Sequence, residues 1–170
     1  MMMEENSKNA LLDQIEKTAY EYEKNFHGCS RCVVKAIQDH LDIGDESNLK
    51  ASTPFAAGVA MRGETCGALL GGLLILGVVT ASTDMKDAAA MTNAMAAGFR
   101  LARKVEKELG STNCTELQKA NFGKFYSIAD PVQYEAFVKA GGYEKCSKVC
   151  GKIARITASF IMEYQDKVKR

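Results

Sequence analysis

The stretch TCGALLGGLLILGVVTAST, residues 65–83, carries no charged side chain. So apolar a run must be covered, by lipid or by the rest of the chain, and this narrows the folds open to it. Its length only just reaches that of a membrane-spanning helix. Gly67, Gly71, Gly72 and Gly77 interrupt it, and Ser and Thr crowd its C-terminal end. No cluster of Lys or Arg marks a cytoplasmic flank, and no other segment resembles a span. The expectation is therefore a helix over about residues 66–79, buried in a bundle, with no membrane span. Gly67 and Gly71, like Ala68 and Gly72, lie four apart and form a groove that lets another helix approach closely. Periodicity alone would also allow LLILGVVT as a buried strand; its neighbours favour helix.

Those neighbours have helical spacing. Leu11, Leu12, Ile15, Ala19, Tyr22 and Phe26 predict an amphipathic helix over residues 8–26. Cys29, Cys32, Val33, Ala36, Ile37 and Leu41 share the face of a second helix, begun near Gly28 and ended by Gly44 and the polar run after it. A Ser/Thr cap and Pro54 predict a short helix to about Met61. From Asp84 onward, Ala88, Met91, Met95, Gly98, Ala102, Val105 and Leu109 alternate by three and four up to a terminating Gly110. Asn113 with Glu116 is a variant capping box, and Asp130–Pro131 starts a further helix. The last helix runs from about Tyr143, with Cys146, Val149, Cys150, Ile153, Ile156, Phe160 and Tyr164 on its apolar face. No alternating strand pattern, repeat or linker divides the chain. The expected architecture is all-α, one domain over residues 1–170, a bundle of about six to eight helices with a poorly ordered N-terminal start.

With 170 residues and a net charge of +1, the chain has no basic field for nucleic acid or an anionic membrane. It lacks Trp, so a base-stacking platform is not expected. Charges arrive at once in MMMEENSK with no apolar segment behind them, which predicts a cytoplasmic protein without a secretory signal. Six cysteines in a reducing compartment read as thiols, metal ligands or redox partners before structural disulfides.

On this helix map Cys29, Cys66, Cys114 and Cys146, from four distant segments, each fall in a first turn. Cys32 and Cys150 lie one turn further in. A helix N-terminus offers unpaired N–H groups and about half a positive charge. Both favour a thiolate, the reactive form of cysteine, and an anionic iron–sulfur cluster gains from the same amides. Cysteine also fills helix faces as a small hydrophobe, so inert thiols remain an alternative. Cys29–Cys32 is a C-x-x-C without the βαβ setting of thioredoxin, and with Val33 after it gives no covalent c-type haem site. Two cysteine pairs would also suit a structural zinc. His27 reads as a capping or surface residue, His40 and Tyr164 as helix-face residues, and Arg62 and Glu64 as solvated turn charges beside Cys66. No phosphate loop or dinucleotide fingerprint is present.

Cys66-Gly67-Ala68-Leu69-Leu70-Gly71, read as C-G-A-x-x-G, and the approach FAAGVAMRGE resemble the C-GCAxxG-C-C family of redox-active proteins. Cys29 precedes the motif, and Cys114 and Cys146 come after it, over roughly residues 20–160. Thr65 stands where the family pattern has Gly, and Gly67 intervenes before Ala68. The resemblance implies redox activity, with Cys29, Cys66, Cys114 and Cys146 as redox thiols or ligands; Cys32 and Cys150 are additions that can serve as alternates. The split-Soret cytochromes, similar in this region, imply an iron–sulfur cluster.

The expectation is a redox-active, electron-transfer protein with an iron–sulfur cluster, [2Fe–2S] in form, on Cys29, Cys66, Cys114 and Cys146, served by a redox partner protein. A homodimer through apolar helix faces is a further expectation. The alternatives are a thiol–disulfide oxidoreductase using Cys66 with Cys29 or Cys146, and a non-catalytic protein with four-cysteine zinc or inert thiols.

Overall fold

The amphipathic pattern of residues 8–26 continues upstream as helix. In the computed structural model, which describes residues 2–168, α1 spans Met2–Phe26. The expected disorder of the N-terminal start concerns Met1, outside the described residues, and residues whose backbone is helical from Met2. Seven further α-helices follow among the described residues: α2 Cys29–Leu41, α3 Glu46–Ser52, α4 Gly67–Thr80, α5 Ala88–Leu109, α6 Cys114–Phe122, α7 Pro131–Lys139 and α8 Gly142–Val168. Among the described residues there is no strand, and the fold is all-α.

Local chemistry sets most boundaries. Asn113 Oδ1 accepts from Glu116 N–H at 3.1 Å, and Asp130 Oδ1 from Gln133 N–H at 3.0 Å, as helix caps do. Gly110 and Gly123 end α5 and α6 in the left-handed conformation. Helix α5 starts at Ala88, capped by Asp87, later than the expected Asp84. The unexpected α3 is seven residues long, too short to show a period, and Asp45 caps it in a full capping box.

The buried core joins the expected faces: Leu12, Ile15 and Ala19 of α1, Val33 and Ile37 of α2, Leu69, Ile75 and Leu76 of α4, Leu101 and Val105 of α5, and Ile153, Ala158 and Ile161 of α8. Helix α8 lies along α1, and α4 packs against α2, α5 and α8. The α4 glycines make this possible. A Cβ on Gly71 would run into the carbonyl oxygen of Ser30 in α2, and one on Gly72 would stand 2.6 Å from Thr157 Oγ1 in α8. No described helix is long and apolar enough to cross a membrane.

Two expectations fail. Met91 and Met95, assigned to the core stripe of α5, are 59% and 69% exposed, because the inward face of α5 carries Ala90, Ala94, Ala97 and Leu101 instead. The short helix expected up to Met61 is instead a 3-10 turn, Thr53–Phe55, leading into a left-handed coil.

Candidate cysteine centre

Cys29 is the first residue of α2 and Cys114 the first of α6, as their caps predict. Cys66 stands one position earlier than expected, as the N-cap of α4. There its sulfur makes no capping hydrogen bond, although the nearby Ala68 and Leu69 amides favour negative charge on it. Cys146 departs from expectation. Helix α8 begins at Gly142, so Cys146 lies in the second turn and has no unpaired helix-end amide. Three of the four cysteines thus sit at helix starts.

Tertiary packing brings together what sequence holds apart. Cys29, Cys66, Cys114, Cys146 and Cys150 line one cavity of ≈ 30 Å³, with Leu117, Val149, Gln118 and Asn121. Cys32 is not among its lining residues. Its thiol donates to the His27 carbonyl at 3.4 Å and lies beside Glu23. Of the alternates, Cys150 therefore belongs to the cavity and Cys32 does not. All six thiols are free.

The setting reverses one expectation. Helix ends should lower thiol pKa values, yet burial dominates. It pushes Cys66 up to about 12, with the Cys114 sulfur adding to the shift and the Leu69 and Ala68 amides only opposing it. Burial holds Cys29 well above the ordinary thiol range, helped by Glu23 and Cys66 and opposed by the Ala57 amide. Cys146 and Cys150 are raised by burial and then by Glu23. Burial raises Cys114 as well, and its sulfur receives Gln118 Nε2 at 3.9 Å. Without a bound cation these groups are neutral thiols; a metal centre would ionise them.

Several residues at the site were not expected there. Glu23 is 4% exposed and its Oε2 has no hydrogen-bond partner. Burial raises its carboxyl to about 7, against the pull of Cys32. Glu23 falls four residues after Ala19 on the α1 core face, so its burial was readable in the spacing. His27, expected as a cap or surface residue, stacks on Tyr143 with ring centroids 3.5 Å apart. Tyr143 had no sequence signal, since the contact joins α8 to the α1–α2 turn.

The left-handed coil also borders the cavity. Ala57, Gly58, Val59, Ala60 and Met61 have φ of 53°, 71°, 62°, 51° and 65°. For the non-glycine residues this conformation costs on the order of 1–2 kcal/mol each. The Ala57 amide favours negative charge on the Cys29 sulfur, and Gly58 lies against Cys114.

The four predicted cysteines suit a thiolate-bound group by chemistry: soft donors, a shared cavity, and nearby backbone amides that favour negative charge on two of the sulfurs. Among the described residues, no three or more His, Cys, Asp or Glu side chains are placed to hold a metal ion.

A family model described as "Putative redox-active protein (C_GCAxxG_C_C)" matches residues 27–160. The chain belongs to this family. The matched region contains every residue that lines the cysteine cavity. Membership places the chain among redox-active cysteine proteins. No curated protein and no solved structure matches the chain.

Proposed function

We propose that this family member is an electron-transfer protein that holds an iron–sulfur cluster, [2Fe–2S] in form, on Cys29, Cys66, Cys114 and Cys146. One observation carries the reading: sulfurs from α2, α6, α8 and the start of α4 line one small apolar cavity. A bound cluster would supply one-electron redox chemistry.

The chain's own groups do the rest. The Ala68, Leu69 and Ala57 amides favour negative charge on Cys66 and Cys29. Leu117 and Val149 keep water from the sulfurs. Cys150 stands in the same cavity as a spare donor, its thiol held toward the Cys29 carbonyl at 4.0 Å. Because the thiols must lose protons on loading, iron uptake strengthens as pH rises. The thiol–disulfide alternative has weaker support, since a thiol raised to about 12 is not an activated nucleophile. A redox partner protein exchanges the electron, and the exposed Met91, Met95 and Phe99 offer an apolar surface for that protein or a second copy.

Anaerobic purification with iron and acid-labile sulfide analysis tests the reading. Brown protein holding iron and sulfide in equal amounts is expected. Colourless protein with stoichiometric zinc, or with an internal disulfide and no iron after anaerobic reconstitution, would contradict it.

A further inference from the structure

We propose that residues 56–65 form a left-handed strap that positions Cys29 and Cys114 and gates entry to the cavity; this rests on the cysteine-centre reading above. Four non-glycine residues in sequence order, Ala57, Val59, Ala60 and Met61, hold positive φ, with Gly58 among them. L-residues leave this region unless their surroundings hold them there, most of all a β-branched residue such as Val59.

The restraints come from three places. Ala60 N–H donates back to Pro54 O at 2.8 Å, and within the strap Gly63 N–H donates to Ala57 O at 3.2 Å and Glu64 N–H to Gly58 O at 2.9 Å, giving a wide coil. From residues 111–115, Cys114 N–H donates to Glu64 O at 2.6 Å, Thr115 N–H to Gly63 O at 3.1 Å and Thr115 Oγ1 to the same oxygen at 2.8 Å. Cys66 N–H donates to Thr112 O at 2.8 Å. The third restraint is steric. A Cβ on Gly58 would stand 2.7 Å from both Cys114 Cβ and Glu64 N, and one on Gly63 2.7 Å from the Phe125 ring.

The strap therefore reaches three of the cysteines: Ala56 lies with Cys29 against Gly67, Gly58 closely approaches Cys114, and the chain enters Cys66. Gly58 and Gly63 are buried anchors, while Ala60, Met61 and Arg62 form an exposed crest. In the held position Ala56 and Gly58 lie close to Cys29 and Cys114. Released, its four strained residues relax, the strap withdraws from these two side chains, and both sulfurs meet more solvent. The tie at Cys114 is made by its backbone N–H and its Cβ, so the strap sets where this residue stands in the cavity.

The test is pulse labelling of reduced, metal-free protein with iodoacetamide, read cysteine by cysteine by mass spectrometry. Gly58→Ala should speed labelling of Cys29 and Cys114 by about tenfold through more frequent local opening, with Cys32 unchanged. Val59→Gly removes strain and should slow the same two sites relative to wild type. Equal acceleration of all six cysteines, or wild-type rates in Gly58→Ala, would overturn the strap. If Gly58→Ala does not fold, Val59→Gly decides, and unchanged or faster labelling of Cys29 and Cys114 overturns it. No iron enters this assay. Selective labelling without iron binding would remove the cluster and leave the strap; iron binding without selectivity would do the reverse.

Discussion

Glu23 and Cys66 show how burial governs single residues here. The Glu23 carboxyl rises from 4.5 to about 7 because it lies among thiols and apolar side chains. Its folded pKa lies above its unfolded one, so its contribution is fully present below about pH 4.5 and is lost as pH rises through 7. Across that window the chain should lose roughly 3 kcal/mol of stability. Urea unfolding at pH 5 and pH 8.5 checks this, with Glu23→Gln expected to be nearly flat; an equal pH dependence in the variant would contradict it. Cys66, with its thiol near 12, should react with iodoacetamide in the metal-free protein far more slowly at pH 8 than a free cysteine does, and faster as pH rises. The sequence showed where Cys66 sits on its helix to within one residue. It did not show that desolvation outweighs the helix end, because desolvation depends on Leu117 and Val149, which arrive from α6 and α8.

At the scale of elements, α4 carries the sharpest contrast. Gly71 and Gly77 are both helical glycines in one apolar run, but their surroundings differ. A Cβ at Gly71 meets the Ser30 backbone, whereas one at Gly77 meets nothing within 4 Å. Gly71→Ala should destabilise the fold by about 1–3 kcal/mol through overpacking against a backbone that cannot yield. Gly77→Ala should stabilise it by about 0.5–1 kcal/mol through helix propensity. Denaturant midpoints of the two variants decide; shifts of the same sign would contradict the packing account. The four-residue spacing of Gly67 and Gly71 made the groove legible, and the helix that fills it is α2. The strap was not legible. Ser52, Thr53 and Pro54 give a sound helix-start signal, and a 3-10 turn does form there. Beyond Phe55, restraints from residues 111–115 and Phe125 override that signal. Helix α5 shows the opposite limit: its periodicity correctly predicted a helix, but not that small alanines would face the core and leave Met91 and Met95 exposed.

Across the whole molecule, helix-forming patterns were enough for an all-α bundle, because spacing, caps and terminating glycines agree along most of the chain. Convergence of the cysteines is a different kind of fact. Local sequence places Cys29, Cys66, Cys114 and Cys146 at helix starts but not beside one another, and only the packing of α2, α4, α6 and α8 gathers them. The family resemblance pointed to the same four positions, and the matched region contains all of them. The same packing separates the close pairs, leaving Cys150 at the cavity and turning Cys32 toward Glu23 and the His27 carbonyl.

That division gives the most direct measurement: iron per chain after anaerobic reconstitution, compared across single Cys→Ser variants. Cys32→Ser should hold iron as wild type does. Cys66→Ser, Cys29→Ser and Cys114→Ser should lose most of it. Cys146→Ser should keep iron only to the extent that Cys150 replaces it, so Cys146→Ser combined with Cys150→Ser should lose it as well. Iron content unchanged in Cys66→Ser, or lost in Cys32→Ser alone, would contradict the assignment of the centre to this cavity.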